Sequence, residues 1–119
     1  MNIEKLTTQL RKALVDAQSH ALGKNHTAIE STHVLIALLK QNEGTAKALF
    51  DRMEIDTHSL LKALEEQIKS FAVSTNSDGE ISIARSLQKH LNRADQIAQQ
   101  RGDKFIAADA LVLAISEGT

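Results

Sequence analysis

Proline, cysteine, tryptophan and tyrosine are all absent from the 119 residues, and aromatic residues make up only 3%. Without cysteine the chain forms no disulfide, has no thiolate nucleophile and lacks the ligands of a zinc finger. Without proline, Gly, Ser, Thr and Asp must mark the ends of the elements. With so few aromatics, Leu, Ile, Val and Ala must fill the interior, which favours closely packed helices over a sandwich or barrel.

Charge and hydropathy narrow the class of protein further. Fourteen Lys and Arg stand against fifteen Asp and Glu, a net charge of −1 that removes the long-range attraction on which nucleic-acid binders depend. The first residues, MNIEKLTTQLRK, lack the apolar core of a signal peptide, and no apolar run is long enough to span a membrane. We therefore expect one soluble cytoplasmic domain that binds neither nucleic acid nor membrane.

Apolar residues recur every three or four positions in six segments, which is the spacing of one helix face. The predicted helices lie at about 3–22, 34–39, 46–53, 60–68, 83–98 and 111–115. We expect Gly23 to end the first helix in a left-handed conformation. Ser31 or Thr32 should cap the second helix, and Asp56 or Thr57 the fourth. No segment alternates as a half-exposed strand does, so we predict an all-α fold with no sheet.

The chain repeats itself at an offset of 77 residues. Without a gap, this offset aligns Leu14 with Leu91, Ala17 with Ala94, Ala21 with Ala98, Ile29 with Ile106 and Ala37 with Ala114. Each copy has a long helix, a polar break and a short helix, so the two copies can bury their apolar faces on each other. We predict a single domain over 1–119, with repeat one at about 1–71, a mobile linker at 72–82, and repeat two at 83–119, truncated at its C-terminal helix.

Three segments carry a resemblance to a known family: LTTQLRKALVDAQSHALGKN at the start, AIESTHVLIALL in repeat one and RGDKFIAADALVLAI in repeat two. In this order the chain resembles the N-terminal domain of Clp-type AAA+ unfoldases, in the version found in the ClpB disaggregases. The resemblance implies a compact all-α double repeat that engages unfolded or aggregated polypeptides for an ATP-driven ring. It also implies a monomeric domain, a homohexameric parent of the stress response, and adaptors or a partner chaperone as further partners.

No chemistry is expected of this domain itself. The chain has no G-x-x-x-x-G-K-[ST] phosphate loop, because Gly23-Lys24 lacks the upstream glycine. ATP and magnesium are therefore implied only for ATPase modules outside this sequence, and no cofactor is expected within it.

The resemblance also implies a substrate-binding site in repeat two. Its polar members would be Thr7, Asp103 in the RGD-like break, and Asp109 at the start of the last helix, where the family more often has Glu. An apolar groove beside them is implied at Leu91, Arg93, Ile97 and Ala110. Arg93 would bring a charge to the rim of this groove, and Ala110 would make it shallower. The acids also have simpler roles, Asp103 in a turn and Asp109 as an N-cap.

Other interpretations of the residues stay open. The histidines at 20, 26, 33, 58 and 90 include no pair at i, i+4, so we expect no metal site and assign His33 a structural, hydrogen-bonded role. A small helical enzyme using Asp16 and His20 is a different class, although no nucleophile motif accompanies that pair. A helical nucleic-acid binder is disfavoured by the charge balance. Within the resembled family, the alternative function is docking of a folded adaptor protein.

Overall fold

The computed structural model describes residues 3–41, 44–73 and 81–117, and in these ranges the chain is mostly helical. Its α-helices are α1 (Thr8–Gly23), α2 (Ser31–Leu39), α3 (Thr45–Arg52), α4 (Thr57–Ile68), α5 (Arg85–Arg101) and α6 (Ala108–Glu117). A 3₁₀ turn at Ile3–Lys5 precedes α1. The predicted linker at 72–82 lies largely outside the described residues. Each helix of the described ranges falls short of the length and apolarity that a membrane span requires.

Helix α1 begins and ends differently from the prediction. Thr7 precedes the helix as its N-cap, where its Oγ1 accepts a hydrogen bond of 3.2 Å from the Leu10 N–H. Gly23 is the last residue of α1, and the left-handed conformation falls instead on Asn25, with φ 59°. The prediction for Gly23 was wrong because asparagine also tolerates this conformation, since its side chain can bond locally.

Helix α2 is capped by Glu30, and the prediction of Ser31 or Thr32 was wrong. The Glu30 carboxylate accepts from the backbone of His33, and the Glu30 N–H donates to His33 Nδ1 over 2.9 Å. This is a capping box in which His33 takes the position usually held by Glu or Gln. The prediction for α4 was correct, because Asp56 accepts hydrogen bonds from the His58 and Ser59 N–H groups.

A small parallel sheet departs from the prediction of a fold without strands. Strands β1 (Ala28–Ile29) and β2 (Ser82–Ile83) pair in parallel, with Ile29 opposite Ile83. Two residues are too few to show the alternation from which a strand is predicted. Because Ile83 belongs to β2, α5 starts later than its apolar pattern suggested. The fold is otherwise all-α, as predicted.

The predicted duplication is confirmed by hydrogen bonds that recur at the 77-residue offset. The Thr7 N–H donates to the Ile106 carbonyl over 3.0 Å, and its equivalent, the Ala84 N–H, donates to the Ile29 carbonyl over 3.0 Å. Each repeat thus places the residue before its long helix against the break of the other repeat. The two halves are related as pseudo-symmetric partners, and these reciprocal pairings join them.

The left-handed positions obey the same offset. Asn25 follows α1 with φ 59°, and its equivalent Gly102 follows α5 with φ 77°. The next residue in each copy closes the turn, since the His26 and Asp103 N–H groups donate to carbonyls of α1 and α5, in each case over 2.9 Å. The same helix–turn geometry therefore leads into both breaks.

Leucine and alanine fill the interior, as the composition predicted. Helix α2 lies at the centre and packs on α1, α3, α4, α5 and α6, which explains why nearly all its residues are buried. Alanines at the contacts allow close approach of the helices, and the fully buried ones on the two long helices are Ala13, Ala17, Ala21 and Ala94. The core is continuous across both repeats.

Candidate functional site

The candidate site is the break between α5 and α6, residues 102–107. Gly102 ends α5 in the left-handed conformation, and the Asp103 N–H then donates to the Ala98 carbonyl over 2.9 Å. This turn leaves the Asp103 side chain exposed to solvent. The structure therefore places Asp103 in the surface turn where the sequence predicted it.

Thr7 lies beside this break, although it is distant in sequence. Leu6 and Ile106 form a parallel bridge, in which the Ile106 N–H donates to the Lys5 carbonyl over 2.7 Å. Leu6 and Ile106 both point inward and are buried. The structure thus brings Thr7 to the break, but its hydroxyl already serves as the N-cap of α1.

Asp109 stands in the first turn of α6, which begins at Ala108, so its predicted N-cap position was off by two residues. Its carboxylate accepts a hydrogen bond of 3.1 Å from Arg101 Nη1 at the end of α5. A carboxylate in the first turn also interacts favourably with the helix dipole. Asp109 therefore helps to hold α6 against α5 and remains partly exposed at the edge of the break.

Two apolar side chains at this break were missed in the sequence. Phe105 is 51% exposed and Ile3, in the 3₁₀ turn next to Lys5, is 52% exposed. Burying such side chains against a partner would be favourable. A signal was available, because an aromatic residue in a polar break is unusual in a chain with 3% aromatics.

The apolar residues of the predicted groove lie in the interior. Leu91, Ile97 and Ala110 are 2%, 4% and 1% exposed. They face the contact between α5 and α6, which the amphipathic pattern of α5 alone does not reveal. The expectation of an open groove formed by these side chains was therefore wrong for this conformation. Their assignment to substrate binding stays a prediction.

Arg93, the fourth member of that groove, is at the surface and paired. Its Nε donates to Glu117 Oε1 over 2.7 Å, and its Nη2 lies 3.3 Å from Glu117 Oε2. These hydrogen bonds raise the pKa of Arg93 and lower the pKa of Glu117. This ion pair and the ion pair between Arg101 and Asp109, at the other end of α6, link α5 to α6 at the surface.

The equivalent break in repeat one is closed. His26 occupies the place of Asp103 and is buried, and the Thr27 N–H donates to the Ala72 carbonyl over 3.2 Å. The rings of His26 and Phe71 lie 5.7 Å apart, and Phe71 also packs edge-on against His33. The chain after α4 therefore covers this break.

Three histidines form a cluster behind the closed break: the buried His26 and His33, and the partly exposed His20. His33 is fully buried and its Nε2 lies 2.8 Å from His26 Nδ1, which confirms its predicted structural role. Burial, and then the neighbouring His26 and His20, lower the pKa of His33 to about 4. Within the described residues no group of three or more His, Asp or Glu side chains is placed to hold a metal ion.

Asp16 and His20, the pair considered for an enzyme, line a surface groove between α1 and α2. No hydrogen bond joins their side chains in the described part of the chain. Burial, and then the positive charge of Lys40, lower the pKa of His20. The arrangement offers neither an oriented base nor a nucleophile beside it.

These features define a class of protein: an all-α domain of two pseudo-symmetric helical repeats, each with a break between its long helix and its short helix. The family model described as the Clp repeat (R) N-terminal domain matches residues 5–119. The chain belongs to this family.

Similar proteins agree with that assignment. The chain is 39% identical over 114 residues to the chaperone protein ClpB of Pseudomonas putida, covering 96% of this chain and 13% of that protein. The N-terminal domain of the ClpV1 ATPase from Escherichia coli is 26% identical, with a TM-score of 0.89 over 98% of this chain and 70% of the other. A solved complex of a ClpV N-domain with a VipB peptide has the same fold, at 18% identity and a TM-score of 0.80 over 94% of this chain and 68% of that domain.

Proposed function

We propose that this domain binds exposed apolar segments of unfolded or aggregated polypeptides and presents them to the ATP-driven ring of a ClpB-like disaggregase. One observation carries the proposal: Phe105 in the break of repeat two is 51% exposed near the exposed Asp103, and Ile3 in the adjoining 3₁₀ turn is 52% exposed. Membership of the Clp N-terminal domain family supports it. Because the chain spans 13% of the length of its ClpB relative, the parent's activity is part of this proposal.

Binding at this break would be weak and tolerant of sequence. Phe105 and Ile3 offer a small apolar contact, and Asp103 and Asp109 would bond to backbone or basic groups of the client at its edge. Thr7 would hold α1 against the break, while Leu91, Ile97 and Ala110 would support it from beneath. Weak binding also suits transfer, because the client must be released to the ring. ATP and magnesium would act in the ring, outside this domain.

The test is a substitution that removes the aromatic ring from the break. Phe105→Ser should raise the Kd for carboxymethylated α-lactalbumin, a permanently unfolded client, by about five-fold, since losing a half-buried contact costs about 1 kcal/mol. Fluorescence anisotropy with the labelled client measures the Kd. Met53→Ser is the matched control, because Met53 is similarly exposed on the opposite repeat, after α3.

An unchanged Kd in a folded Phe105→Ser variant would refute the proposal that the client binds at the break of repeat two. Equal weakening by Phe105→Ser and Met53→Ser would indicate nonspecific apolar adsorption, and would count against a defined site. Circular dichroism of both variants establishes that helicity is retained.

A second candidate is docking of a defined segment of a partner or adaptor protein. The complex of a ClpV N-domain with a VipB peptide favours it, because a related fold there holds one particular peptide. Competition separates the two functions: scrambling the sequence of a bound peptide should leave a client site unaffected and abolish an adaptor site.

A further inference from the structure

The 77-residue offset also relates two surface grooves. The first groove lies between α1 and α2, has a volume of about 550 Å³ and includes Lys12, Asp16, Ala37 and Lys40 among its lining residues. The second groove lies between α5 and α6, has a volume of about 400 Å³ and includes their equivalents Lys89, Arg93, Ala114 and Glu117. The two grooves are thus the same feature of the fold, built once in each repeat.

Both grooves keep one lysine, Lys12 or Lys89, but the other two charges are exchanged between the helices. The long helix contributes an acid, Asp16, to the first groove and a base, Arg93, to the second. The short helix contributes Lys40 to the first groove and the acid Glu117 to the second. The two repeats therefore keep the place of the groove in the fold but exchange the acid and the base that face each other across it.

An ion pair between two lining residues spans the second groove, but no such pair spans the first in the described part of the chain. Arg93 and Glu117 meet across the second groove at 2.7 Å. In the described part of the chain Asp16 and Lys12 have no hydrogen bond or ion pair, and Lys40 lies 3.9 Å from Glu65 of α4 with both side chains about half exposed.

We propose that the first groove binds a second, acidic segment of the polypeptide client, with a client carboxylate at Lys40 and Lys12 in the way that Glu117 sits at Arg93. This inference rests on the proposed function. The lining residues carry two positive charges, on Lys12 and Lys40, against one negative charge, on Asp16, so the groove favours a carboxylate.

The groove also offers apolar contact beside the charges. Ile36 and Ala37 form its floor, and the aliphatic stems of the lysines cover its sides. Val15, next to Asp16 on α1, is 57% exposed, whereas its counterpart in repeat two is the polar Asn92. A client segment with an aliphatic residue next to Glu or Asp matches this surface.

Two synthetic peptides test the proposal: one of about twelve residues with Leu flanked by Glu, and the same peptide with Lys in place of Glu. In amide NMR spectra of the ¹⁵N-labelled domain, the acidic peptide should shift the resonances of Lys12, Ala37 and Lys40, and the basic peptide should not. Lys40→Glu should weaken binding of the acidic peptide about five-fold or more, and added salt should weaken it in the unsubstituted protein. Lys47→Glu, the same charge change at an exposed position of α3, should have no effect.

The outcomes separate this inference from the proposed function. Suppose that the unfolded client shifts the resonances of Asp103 and Phe105 but the acidic peptide leaves those of the first groove unchanged. The proposed site in the first groove is then refuted, and the proposed client site at the break of repeat two stands. Equal binding of both peptides, or equal effects of Lys40→Glu and Lys47→Glu, also refutes it. Concentration-dependent shifts of these resonances without peptide would assign the groove to a second copy of the chain and overturn the proposal.

Discussion

Acidification should destabilise this domain, and His33 should account for much of the effect. Its Nδ1 accepts the Glu30 N–H, so the neutral ring carries its proton on Nε2, which donates to His26 Nδ1. Protonating His33 would break the capping box at the start of α2. Protonating His26 at Nδ1 would break the bond between the rings. Both losses would occur where α2, the central helix, begins.

The magnitude and the sign follow from the pKa of His33. Burial and the adjacent histidines lower it to about 4, against an ordinary value of 6.5. Above about pH 6.5 the ring is neutral in both the folded and unfolded chains, and its contribution to stability is constant. Between about pH 6.5 and pH 4 the unfolded chain binds the proton and the folded one does not, so stability falls as pH falls. The full loss from this ring is about 3 kcal/mol.

Urea unfolding followed by circular dichroism, from about pH 7.5 to about pH 4.5, measures this loss. His33→Gln should flatten the dependence, because glutamine can accept the Glu30 N–H at this capping position but does not titrate. His58→Gln is the control, since His58 is exposed on α4 and that change should leave the pH dependence intact. The reasoning is refuted if His33→Gln and the unsubstituted domain lose stability in parallel as pH falls.

Two further predictions concern stability and use the same unfolding assay. Leu91→Ala should lower the free energy of unfolding by about 2 to 5 kcal/mol, because the side chain is buried between helices; a loss below about 1 kcal/mol would contradict that burial. Gly23→Ala should stabilise by up to about 1 kcal/mol, because Gly23 is helical with open space around the new methyl group, whereas Gly102→Ala should destabilise by about 1 kcal/mol or more at φ 77°. Effects of the same sign at the two glycines would contradict this assignment of backbone conformations.

The helices could be predicted from the sequence because each buries one continuous apolar face, and the spacing of leucine and alanine records that face. The ends were less predictable. Ser and Thr are the residues usually found at an N-cap, but α2 is capped by Glu30 in a capping box with His33. After α1, the residue in the left-handed conformation is Asn25. Local bonds that involve several residues decide these ends, and a single residue type does not.

The candidate site was only partly predictable for a different reason. Periodicity identified Leu91 and Ile97 as one face of α5, but whether a face is a groove or a buried contact depends on which helix covers it. Helix α6 covers this one. Phe105 was missed because it belongs to no periodic pattern, and only the tertiary pairing of Leu6 with Ile106 shows that its surroundings include the start of the chain.

The duplication itself indicates where function lies. Several identical pairs, such as Ala17 and Ala94, are buried in both repeats, and packing accounts for their identity, whereas the identical pair Lys12 and Lys89 is exposed. At other positions the repeats have diverged: the buried His26 corresponds to the exposed Asp103, and the exposed Asp16 to the half-buried Arg93. A feature needed only for folding would look alike in both halves of a pseudo-symmetric domain. The groove of repeat one, with Asp16 and Lys40, differs in this way from the groove of repeat two, where Arg93 and Glu117 form an ion pair, and the packing of the shared core does not explain that difference.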